Sequence, residues 1–402
     1  MRTSRLEQMI RELEGTGTLT RNDIEELQMR KLNSLLAREK ERQGFYGDLP
    51  AKLDCLQDLQ KLPFTTEKDL RENGQHMLLC SQKYIQKIIT DHTSGTTGAP
   101  KRICYTSGDL EHTIGLFMAG LGEFIFPGSV TMIAMPFSGP YGLGELIAEA
   151  VEKLQARPVK CGPFLTYGEY REILEKECPD TFVGTPVQLL SILRVCGRGS
   201  LRRALVSGDA CPDRVIAECE RILGSRLFPH YGSREMCLGG AVCCDAHEGM
   251  HLRENHVIAE IIGEKGERVP DGAYGELVIT TIGMEAQPLI RYRTGDRTRI
   301  LPGKCPCGCE CIRLDKIKRP GPAGMEDLDD LLFAVPEMVD YTVYTEENIR
   351  YAELLLTEES ESALACADKI LSEYFGCAPV IRHKKCSSDE RIMIKGKRYM
   401  RA

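Results

Sequence analysis

Apolar segments and amphipathic stretches alternate along the middle of the chain, and this alternation limits the possible folds more than any other feature. Between about residues 88 and 228, runs rich in β-branched or apolar residues occur at 130–135, 181–183 and 204–207. Stretches with helical periodicity lie at 109–122, 143–154, 168–177, 186–195 and 213–223. Strands that alternate with helices are typical of a parallel sheet covered by helices. The sequence therefore predicts an α/β fold.

The two ends of the chain have different patterns. Amphipathic helices are expected at 3–14 and 22–43, the second started by Thr20 and Asn22. Beyond residue 254 the pattern changes to strands separated by turns, at 257–262, 276–281 and 297–301. This change predicts a smaller, more antiparallel β subdomain, which we place at about 236–312.

Composition breaks sharply in the charged segment 313–322, which follows a stretch rich in Cys, Gly and Pro. We place the domain boundary there, with a large N-terminal domain at 1–314 and a small lid domain at 315–402. Strand-like runs at 341–344 and 351–357 and a helical stretch at 361–375 predict an α+β fold for this lid.

Composition excludes several classes of protein. The chain has 402 residues, of which 42% are hydrophobic and 28% charged, and a net charge of −7. That charge gives no basis for general nucleic-acid binding. No apolar run approaches the ~20 residues of a membrane helix, and the N-terminal residues lack the apolar core of a signal peptide. We expect a cytoplasmic protein without membrane or nucleic-acid partners, and the sequence leaves the oligomeric state open.

A loop rich in glycine and hydroxyl groups follows the apolar pair Ile88 and Ile89. It is formed by Thr93, Ser94, Gly95, Thr96, Thr97 and Gly98, and Lys101 follows it. The glycines let backbone N–H groups converge on a phosphate, the hydroxyls add donors, and Lys101 adds a mobile charge. The glycine spacing differs from the G-x-x-x-x-G-K-[ST] loop. The pattern predicts a phosphate-binding loop, and the alternative is an exposed hydroxyl-rich turn.

Two further motifs follow this loop, HYGSRE at 230–235 and YRTGD at 292–296. Together with TSGTTGAPK at 93–101, they resemble the adenylate-forming (acyl-CoA synthetase) superfamily. LPFTT at 62–66, GMH at 249–251 and CPCG at 305–308 are most similar to its phenylacetate-CoA ligase-like branch. The resemblance covers nearly the whole chain.

The resemblance implies roles for residues of the nucleotide site. The loop at 93–98 would hold the phosphates of ATP while a carboxylate attacks the α-phosphorus, with Lys101 as a catalytic residue. Glu235 would bind Mg²⁺ and take part in catalysis, and Asp296 would accept hydrogen bonds from both ribose hydroxyls. Either acid, taken alone, could be a turn or surface residue. The nucleotide pocket would also contain His230, Tyr231, Gly232, Ser233, Ser207, Gly208, Asp209 and Ala210.

Two C-terminal elements depart from the family pattern. Arg313 resembles the hinge arginine that contacts the nucleotide, although Ile312 stands where the family usually has glycine. Arg313 could instead be a surface residue. Lys397 is the expected catalytic lysine for adenylation because it follows Gly396; Lys395 is the alternative, and a solvated basic tail would explain the same residues.

A cluster of cysteines and histidines predicts a structural zinc site. Cys244, Cys305 and Cys307 with His251 supply three sulfurs and one imidazole, which suffice for a closed tetrahedral Zn²⁺ site. Similar Cys/His groups occur in the resembling branch. Reduced cysteines on a surface loop are the alternative. The competing ligands are Cys243, His247, Cys309 and Cys311.

The acyl pocket is expected at two segments that follow strand ends, where open α/β sheets place ligands. Its predicted residues are Phe137, Tyr141, Gly142, Thr185 and Pro186. Phe137 and Tyr141 could stack on an aryl ring, although core packing explains two aromatic residues equally well.

The resemblance implies an AMP-forming acid–thiol ligase that uses ATP, Mg²⁺ and coenzyme A (CoA). A small-molecule carboxylic acid, aryl or small acyl, would become an acyl-adenylate and then a CoA thioester. One alternative keeps the adenylation but transfers the acyl group to a carrier-protein thiol or an amine. A second is a non-catalytic nucleotide-binding regulatory protein descended from such enzymes.

Overall fold

The computed structural model describes residues 4–91, 100–318, 325–392 and 399–400. The chain divides into two compact units. The first comprises Met1–Glu123 and His230–Pro320, and the second comprises Phe124–Pro229 and Gly321–Ala402. The last segment of the chain is therefore grouped with its middle. The boundary expected near residue 315 stays a prediction.

The described residues include ten α-helices. They are α1 (Arg5–Glu14), α2 (Arg21–Arg42), α3 (Glu67–Asn73), α4 (Ser107–Leu121), α5 (Leu143–Lys153), α6 (Tyr167–Glu177), α7 (Pro186–Cys196), α8 (Asp213–Leu223), α9 (Met325–Leu332) and α10 (Glu361–Phe375). Short 3₁₀ helices occur at Leu56–Lys61, Gln82–Tyr84 and Arg234–Met236.

The strands of the same residues number seventeen. They are β1 (Ile85–Asp91), β2 (Lys101–Thr106), β3 (Val130–Ile133), β4 (Arg157–Lys160), β5 (Thr181–Gly184), β6 (Arg203–Val206), β7 (Phe228–Tyr231), β8 (Ala241–Cys243), β9 (Met250–Leu252), β10 (Ile258–Ile262), β11 (Gly275–Thr280), β12 (Tyr292–Thr298), β13 (Arg313–Leu314), β14 (Met338–Glu346), β15 (Ile349–Leu356), β16 (Val380–Lys385) and β17 (Tyr399–Met400).

Threonine caps explain where several helices begin. In α2, the Thr20 side chain accepts a hydrogen bond from the N–H of Asp23, whose carboxylate in turn accepts one from the N–H of Thr20. The same reciprocal box starts α3, α4, α6 and α7. The start of α2 expected from Thr20 is therefore confirmed, and the predicted helices of the middle segment agree with the structure to within two residues.

A parallel sheet forms the centre of the second unit, as predicted. Strand β3 lies between β4 and β5, and β6 pairs with β5 and with the first two residues of β7, all in parallel. Helices α5 to α8 alternate with these strands along the chain. The loops after β3, β5 and β6 therefore leave the sheet at the same edge, because the strands are parallel.

The C-terminal part of the second unit is a four-stranded sheet with the order β16-β15-β14-β17. Residues of α9 and β14, among them Leu332 and Met338, share one buried apolar cluster with α7. Arg194 of α7 donates hydrogen bonds to the carbonyls of Phe333, Val335 and Met338. This segment and α7 therefore contribute to a common core.

Antiparallel strands dominate the first unit, which confirms the predicted β subdomain. Strands β10, β11 and β12 form one sheet, β8 pairs with β9, and β9 pairs with β13. The strand expected at 297–301 is wrong in position. The first two residues of the YRTGD motif pair with β11, Tyr292 opposite Ile279 and Arg293 opposite Val278, and regular pairing resumes at Arg297 and Thr298 after a register shift.

Four consecutive polar residues are buried in a turn of the first unit. All are at most 4% exposed, and they are Arg253, Glu254, Asn255 and His256. Arg21 of α2 makes two hydrogen bonds to the Glu254 carboxylate, at 2.7 and 2.9 Å, and the N–H of Ile312 donates to it at 2.8 Å. Arg253 donates to the carbonyl of His112 in α4. The turn therefore joins two helices to the segment that precedes β13.

Among the helices in the described ranges, no segment combines the length and the apolar character that crossing a membrane requires.

Glu39 of α2 is a buried carboxyl group without a compensating partner. Its side chain is 0% exposed, and neither carboxylate oxygen has a hydrogen-bond partner within the described part of the chain. Burial raises the pKa of Glu39 from 4.5 to about 7, against the opposing charges of Arg42 and Arg38. The folded protein therefore keeps a proton that the unfolded chain releases. The stability that this proton contributes is complete below pH 4.5 and is lost as the pH rises through about 7.

We predict that Glu39→Gln stabilises the protein above pH 7 because the amide removes the cost of ionising a buried carboxyl group. The free energy of unfolding at about pH 8 should increase by up to roughly 3 kcal/mol, with a much smaller change at about pH 5. Urea denaturation at both pH values measures this difference. Glu41→Gln, an exposed position on the same helix, is the control. A loss of stability at both pH values would contradict the prediction.

Candidate active site

The residues predicted to bind phosphate, 93–98, lie outside the described residues. In sequence they join β1 to β2, which pair antiparallel with Asp91 opposite Lys101. Lys101 is the first residue of β2. Lys101 is therefore the residue of the β1–β2 pair at which the described chain resumes its strand after this segment.

Lys101 forms a buried ion pair with Glu235. Its Nζ atom lies 2.7 Å from Oε1 of Glu235, whose side chain is 8% exposed. Tyr292 donates a second hydrogen bond to the same oxygen, at 3.3 Å. Burial alone would raise the pKa of Glu235, but the charge and hydrogen bond of Lys101 hold it below its ordinary value. Glu235 is therefore an ionised carboxylate, the type of ligand that Mg²⁺ prefers.

Asp296 has its own phenolic donor. The hydroxyl of Tyr231 donates to Oδ2 of Asp296 at 2.6 Å, and Thr294 accepts from the N–H of Asp296. A carboxylate offers about four lone-pair positions, so Asp296 keeps acceptor capacity beyond this bond. Both predicted acids thus lie in the first unit with hydrogen bonds that orient them.

The turn that carries Glu235 is held in an unusual backbone conformation. A Cβ atom on Gly232 would lie 2.2 Å from the carbonyl oxygen of Leu238, so only glycine fits there. Cys237 and Leu238 both have positive φ angles, 55° and 61°. The hydroxyl of Thr113 donates to the carbonyl of Cys237 at 2.6 Å. Strain of this kind is found mainly where a functional group must be held in place.

Three residues near Glu235 have other roles in the structure. His230 stacks on Phe117 with ring centroids 4.9 Å apart, and burial lowers its pKa to about 3, so its imidazole is neutral. Tyr105 of β2 donates from its hydroxyl to the carbonyl of Arg234 at 2.7 Å. Ser233 occupies the N-cap position of the 3₁₀ helix Arg234–Met236, but its side chain makes no capping hydrogen bond.

The remaining predicted nucleotide residues lie in the second unit, after β6. The N–H of Ser207 donates to the carbonyl of Gly184, Gly208 has a φ of 81°, and Asp209 accepts from the N–H of Ala210 at 2.6 Å. These bonds form a tight turn at the carboxyl edge of the parallel sheet. Its role in nucleotide binding stays a prediction.

The predicted acyl residues lie at the same edge of that sheet. A Cβ atom on Gly208 would lie 3.8 Å from Cε of Met135 and 4.0 Å from Cγ2 of Thr185, so the loops after β3, β5 and β6 meet. Thr185 caps α7, and Pro186 is its first residue. The structure thus brings together the strand ends from which an acyl pocket would be built.

The two aromatic residues of this region differ in their surroundings. Phe137 lies under Gly144, where an added Cβ would come within 2.9 Å of its ring, and is partly exposed. Tyr141 is 42% exposed and has a φ of 59°, just before Gly142, the N-cap of α5. Their stacking on an aryl substrate stays a prediction.

Arg313 is buried, so the alternative of a surface residue is wrong. Its guanidinium donates to the carbonyl of Glu248, 3.0 Å away, and to the carbonyls of Pro302 and Gly303. These contacts tie β13 to the segment before the cysteine cluster. The nucleotide contact expected of Arg313 stays a prediction. Lys395 and Lys397 lie outside the described residues.

The structure brings together the four residues predicted to bind zinc. The ligand atoms of Cys244, His251, Cys305 and Cys307 all lie within 4.8 Å of one another. Cys244 and Cys305 have their sulfurs 3.7 Å apart, and Nε2 of His251 lies 3.3 Å from the sulfur of Cys307. A tetrahedral zinc site has S–S and S–N edges of about 3.8 and 3.5 Å. These two separations are therefore close to the edges of a tetrahedral zinc site.

Neighbouring groups support the same ligand set. Nδ1 of His251 lies 3.0 Å from the carbonyl oxygen of Cys311, so this nitrogen carries the proton and Nε2 faces the sulfurs. Hydrogen bonds, first from Cys244 and then from His251, lower the pKa of Cys307 below its ordinary value, which favours the thiolate that binds metal.

The competing ligands make other contacts. Cys309 and Cys311 are buried in an apolar cluster with α1 residues such as Leu6 and Ile10. The sulfur of Cys243 lies 3.7 Å from Nδ1 of His247. Within the described residues, the four-residue cluster is the group that satisfies the distances of a metal site.

Sequence reasoning missed several groups that hold this site. Tyr292 stood inside a recognised motif without a role, and Tyr105 and Thr113 belong to no motif. No simple alternation of side chains could have identified Tyr292, because β12 pairs irregularly with β11 between Arg293 and Arg297.

Residues 5–285 match the family described as AMP-binding enzyme. This is more than half of the chain, so the chain belongs to that family. The resemblance seen in the sequence motifs is therefore confirmed.

Curated relatives are similar over most of their length. The phenylacetate-coenzyme A ligase of Thermus thermophilus is 28% identical over 335 residues, which cover 75% of this chain and 71% of the relative. The enzyme of the same name from Escherichia coli is 29% identical over 313 residues, covering 72% and 70%.

Solved structures confirm the fold class. The structure of 2-hydroxyisobutyryl-CoA ligase in the postadenylation state, in complex with 2-HIB-AMP, matches with a TM-score of 0.77. The match has 18% sequence identity and covers 96% of this chain and 91% of that chain.

Proposed function

We propose that this protein is an AMP-forming acid–CoA ligase. ATP and a carboxylic acid would give an acyl-adenylate and pyrophosphate, and the thiolate of CoA would then attack the acyl carbonyl to give a thioester and AMP. One observation carries the proposal. Two buried carboxylates, Glu235 and Asp296, are each held by a phenol in a chain whose relatives are named phenylacetate-coenzyme A ligases.

Each acid suits one part of Mg-ATP. Glu235 would bind Mg²⁺, which bridges phosphate oxygens and neutralises charge that develops during transfer. Asp296 would accept hydrogen bonds from the ribose hydroxyls. The loop at 93–98 would hold the phosphates. The positive charge of Lys101 would keep Glu235 ionised before Mg²⁺ binds.

The acid substrate is proposed to be an aryl or small acyl carboxylate. Named relatives act on phenylacetate, and a structural neighbour binds a hydroxyisobutyryl adenylate. In this chain the acyl group would bind beside Phe137, Tyr141 and Thr185, at the strand ends of the second unit. Phe137 and Tyr141 offer aromatic faces to an aryl ring.

Lys397 is proposed to stabilise charge on the α-phosphate during adenylation, with Lys395 as the alternative. Arg313 would act at the hinge near residues 313–320, where its contacts with Glu248 and Pro302 restrain β13. A cytoplasmic location remains a prediction from the composition.

The molecule that accepts the acyl group distinguishes the proposed CoA ligase from its first alternative. A carrier-protein thiol or an amine would consume the same acyl-adenylate. The non-catalytic alternative is disfavoured by the ion pair of Lys101 with Glu235, because a scaffold has no need to keep a buried carboxylate ionised.

Pyrophosphate release from ATP with a panel of acids tests the proposal. The panel should include phenylacetate, benzoate and short hydroxy acids, each with and without CoA. We expect acid-dependent pyrophosphate release, and a CoA thioester with AMP only when CoA is present. Thioester formation without AMP would contradict the proposed chemistry, and ATP binding without any acid-dependent turnover would favour the non-catalytic alternative.

We predict that Glu235→Gln lowers acid-dependent ATP–pyrophosphate exchange by about two orders of magnitude. The amide oxygen can still accept from Lys101 and Tyr292, so the fold should persist, but the ligand charge for Mg²⁺ is lost. Glu264→Gln, an exposed acid of the same unit, is the control. Undiminished exchange in Glu235→Gln would remove Glu235 from the metal site.

We propose further that Cys244, His251, Cys305 and Cys307 bind a structural Zn²⁺ ion. Four protein ligands leave no open coordination position, so the ion would stabilise the fold and take no part in catalysis. Its binding would fix the segment that contains Cys309 and Cys311, which packs against α1.

Metal analysis of protein purified without added metal should give one zinc ion per chain. Cys307→Ser should reduce the zinc content and lower the melting temperature by about 5 °C or more, because the lost metal no longer stabilises the folded state. Cys243→Ser, a buried neighbour outside the cluster, should retain zinc. Wild-type protein that contains no zinc and is no more stable than Cys307→Ser would contradict the zinc proposal.

A further inference from the structure

Two phenol–carboxylate hydrogen bonds cross between the same two segments in opposite directions. Tyr231 donates to Asp296 of β12 at 2.6 Å, while Tyr292 of β12 donates to Glu235 at 3.3 Å. Each segment therefore supplies one phenol and one carboxylate. The pair forms a reciprocal brace between the 231–235 segment and β12.

Tyr292 is fixed within this brace by its surroundings. It is 3% exposed, its backbone pairs with Ile279 of β11, and it forms an isolated bridge with Thr65. Its hydroxyl donates to Glu235 from a ring that is packed in place.

Lys101 and Tyr292 contact the same oxygen of Glu235. Both distances, 2.7 and 3.3 Å, are to Oε1, so Oε2 is the oxygen that neither donor contacts. An ammonium group on a flexible stem can follow a carboxylate that rotates. A phenol on a packed ring cannot, so of these two donors Tyr292 is the one that restricts the orientation of the carboxylate.

We propose that Tyr292 is a positioning residue of the metal site. Its hydroxyl holds Oε1 of Glu235 so that Oε2 faces the Mg²⁺ ion carried by a nucleoside triphosphate. This inference rests on the proposed function, because it requires Glu235 as the metal ligand. Tyr292 acts through Glu235 and does not itself touch the metal.

The test replaces Tyr292 by Phe, which keeps the packed ring and removes only the hydroxyl. Calorimetric titration of ATP into the full chain, at a series of Mg²⁺ concentrations and without acid, measures binding independently of turnover. The Mg²⁺ concentration for half-maximal ATP affinity should rise about tenfold, as expected when a group that orients a metal ligand is removed.

Tyr46→Phe is the matched control for the loss of a buried hydroxyl. Tyr46 lies in the same unit and is hydrogen-bonded to Thr65 and to the N–H of Ile290 instead of to Glu235. It should lose stability without any change in the Mg²⁺ dependence. Thermal unfolding of both variants shows whether each is folded at the temperature of the titration.

A double-mutant cycle separates positioning from a general structural role. In the Glu235→Gln background, Tyr292→Phe should produce no further shift in Mg²⁺ dependence, because the residue acts only through that carboxylate. An equal shift in both backgrounds overturns the inference, as does a wild-type Mg²⁺ dependence in folded Tyr292→Phe. Should Tyr292→Phe not fold, replacement of Tyr292 by 3-fluorotyrosine, a stronger donor, must lower the Mg²⁺ requirement for the inference to stand.

Failure of the inference and failure of the proposed function are distinguishable. Wild-type protein that binds Mg-ATP but activates no acid overturns the ligase proposal and leaves the titration of Tyr292→Phe interpretable. An active ligase whose Mg²⁺ requirement does not depend on the hydroxyl overturns only the role of Tyr292.

Discussion

The reciprocal brace between the 231–235 segment and β12 is the constraint on which the candidate site depends. Burying a carboxylate costs several kcal/mol unless donors compensate it, and the site buries both Glu235 and Asp296. Tyr231, Tyr292 and Lys101 supply the compensating donors. The same bonds set where the two acids lie relative to each other, so compensation and preorganisation have one physical origin.

Local patterns in the sequence were sufficient for most helices, because Thr caps are short-range features, and the resemblance of the ordered motifs named both acids as candidates. The donors were not predictable in the same way. Tyr231 and Asp296 are 65 positions apart, and their contact depends on how β12 pairs with β11. The strand at β12 was expected too late in the sequence, so Tyr292 was not assigned to a strand.

The cysteine cluster and the buried polar turn also depend on contacts between distant parts of the chain, which short-range sequence patterns do not reveal. Alternate cysteines from Cys305 to Cys311 have equal spacing, so sequence alone could not separate candidate ligands from residues packed against α1. Within the described residues, the fold brings the sulfurs of Cys305 and Cys307 into the cluster with Cys244 and His251, and it packs Cys309 and Cys311 against α1. The polar turn at 253–256 received no prediction from the sequence. In the fold, Arg21 compensates the buried Glu254 carboxylate across a separation of 233 positions, a contact that only the tertiary structure provides.

Transfer of isotope from the acid to AMP tests the central claim, activation by adenylation, most directly. With an acid labelled by ¹⁸O in both carboxylate oxygens, attack on the α-phosphorus puts one labelled oxygen in the acyl–phosphate bridge. Thiolysis then breaks the bond between the acyl carbon and that oxygen, so mass spectrometry should find one ¹⁸O atom in each AMP formed with the thioester. Unlabelled AMP, or label in pyrophosphate or phosphate, would contradict an acyl-adenylate intermediate.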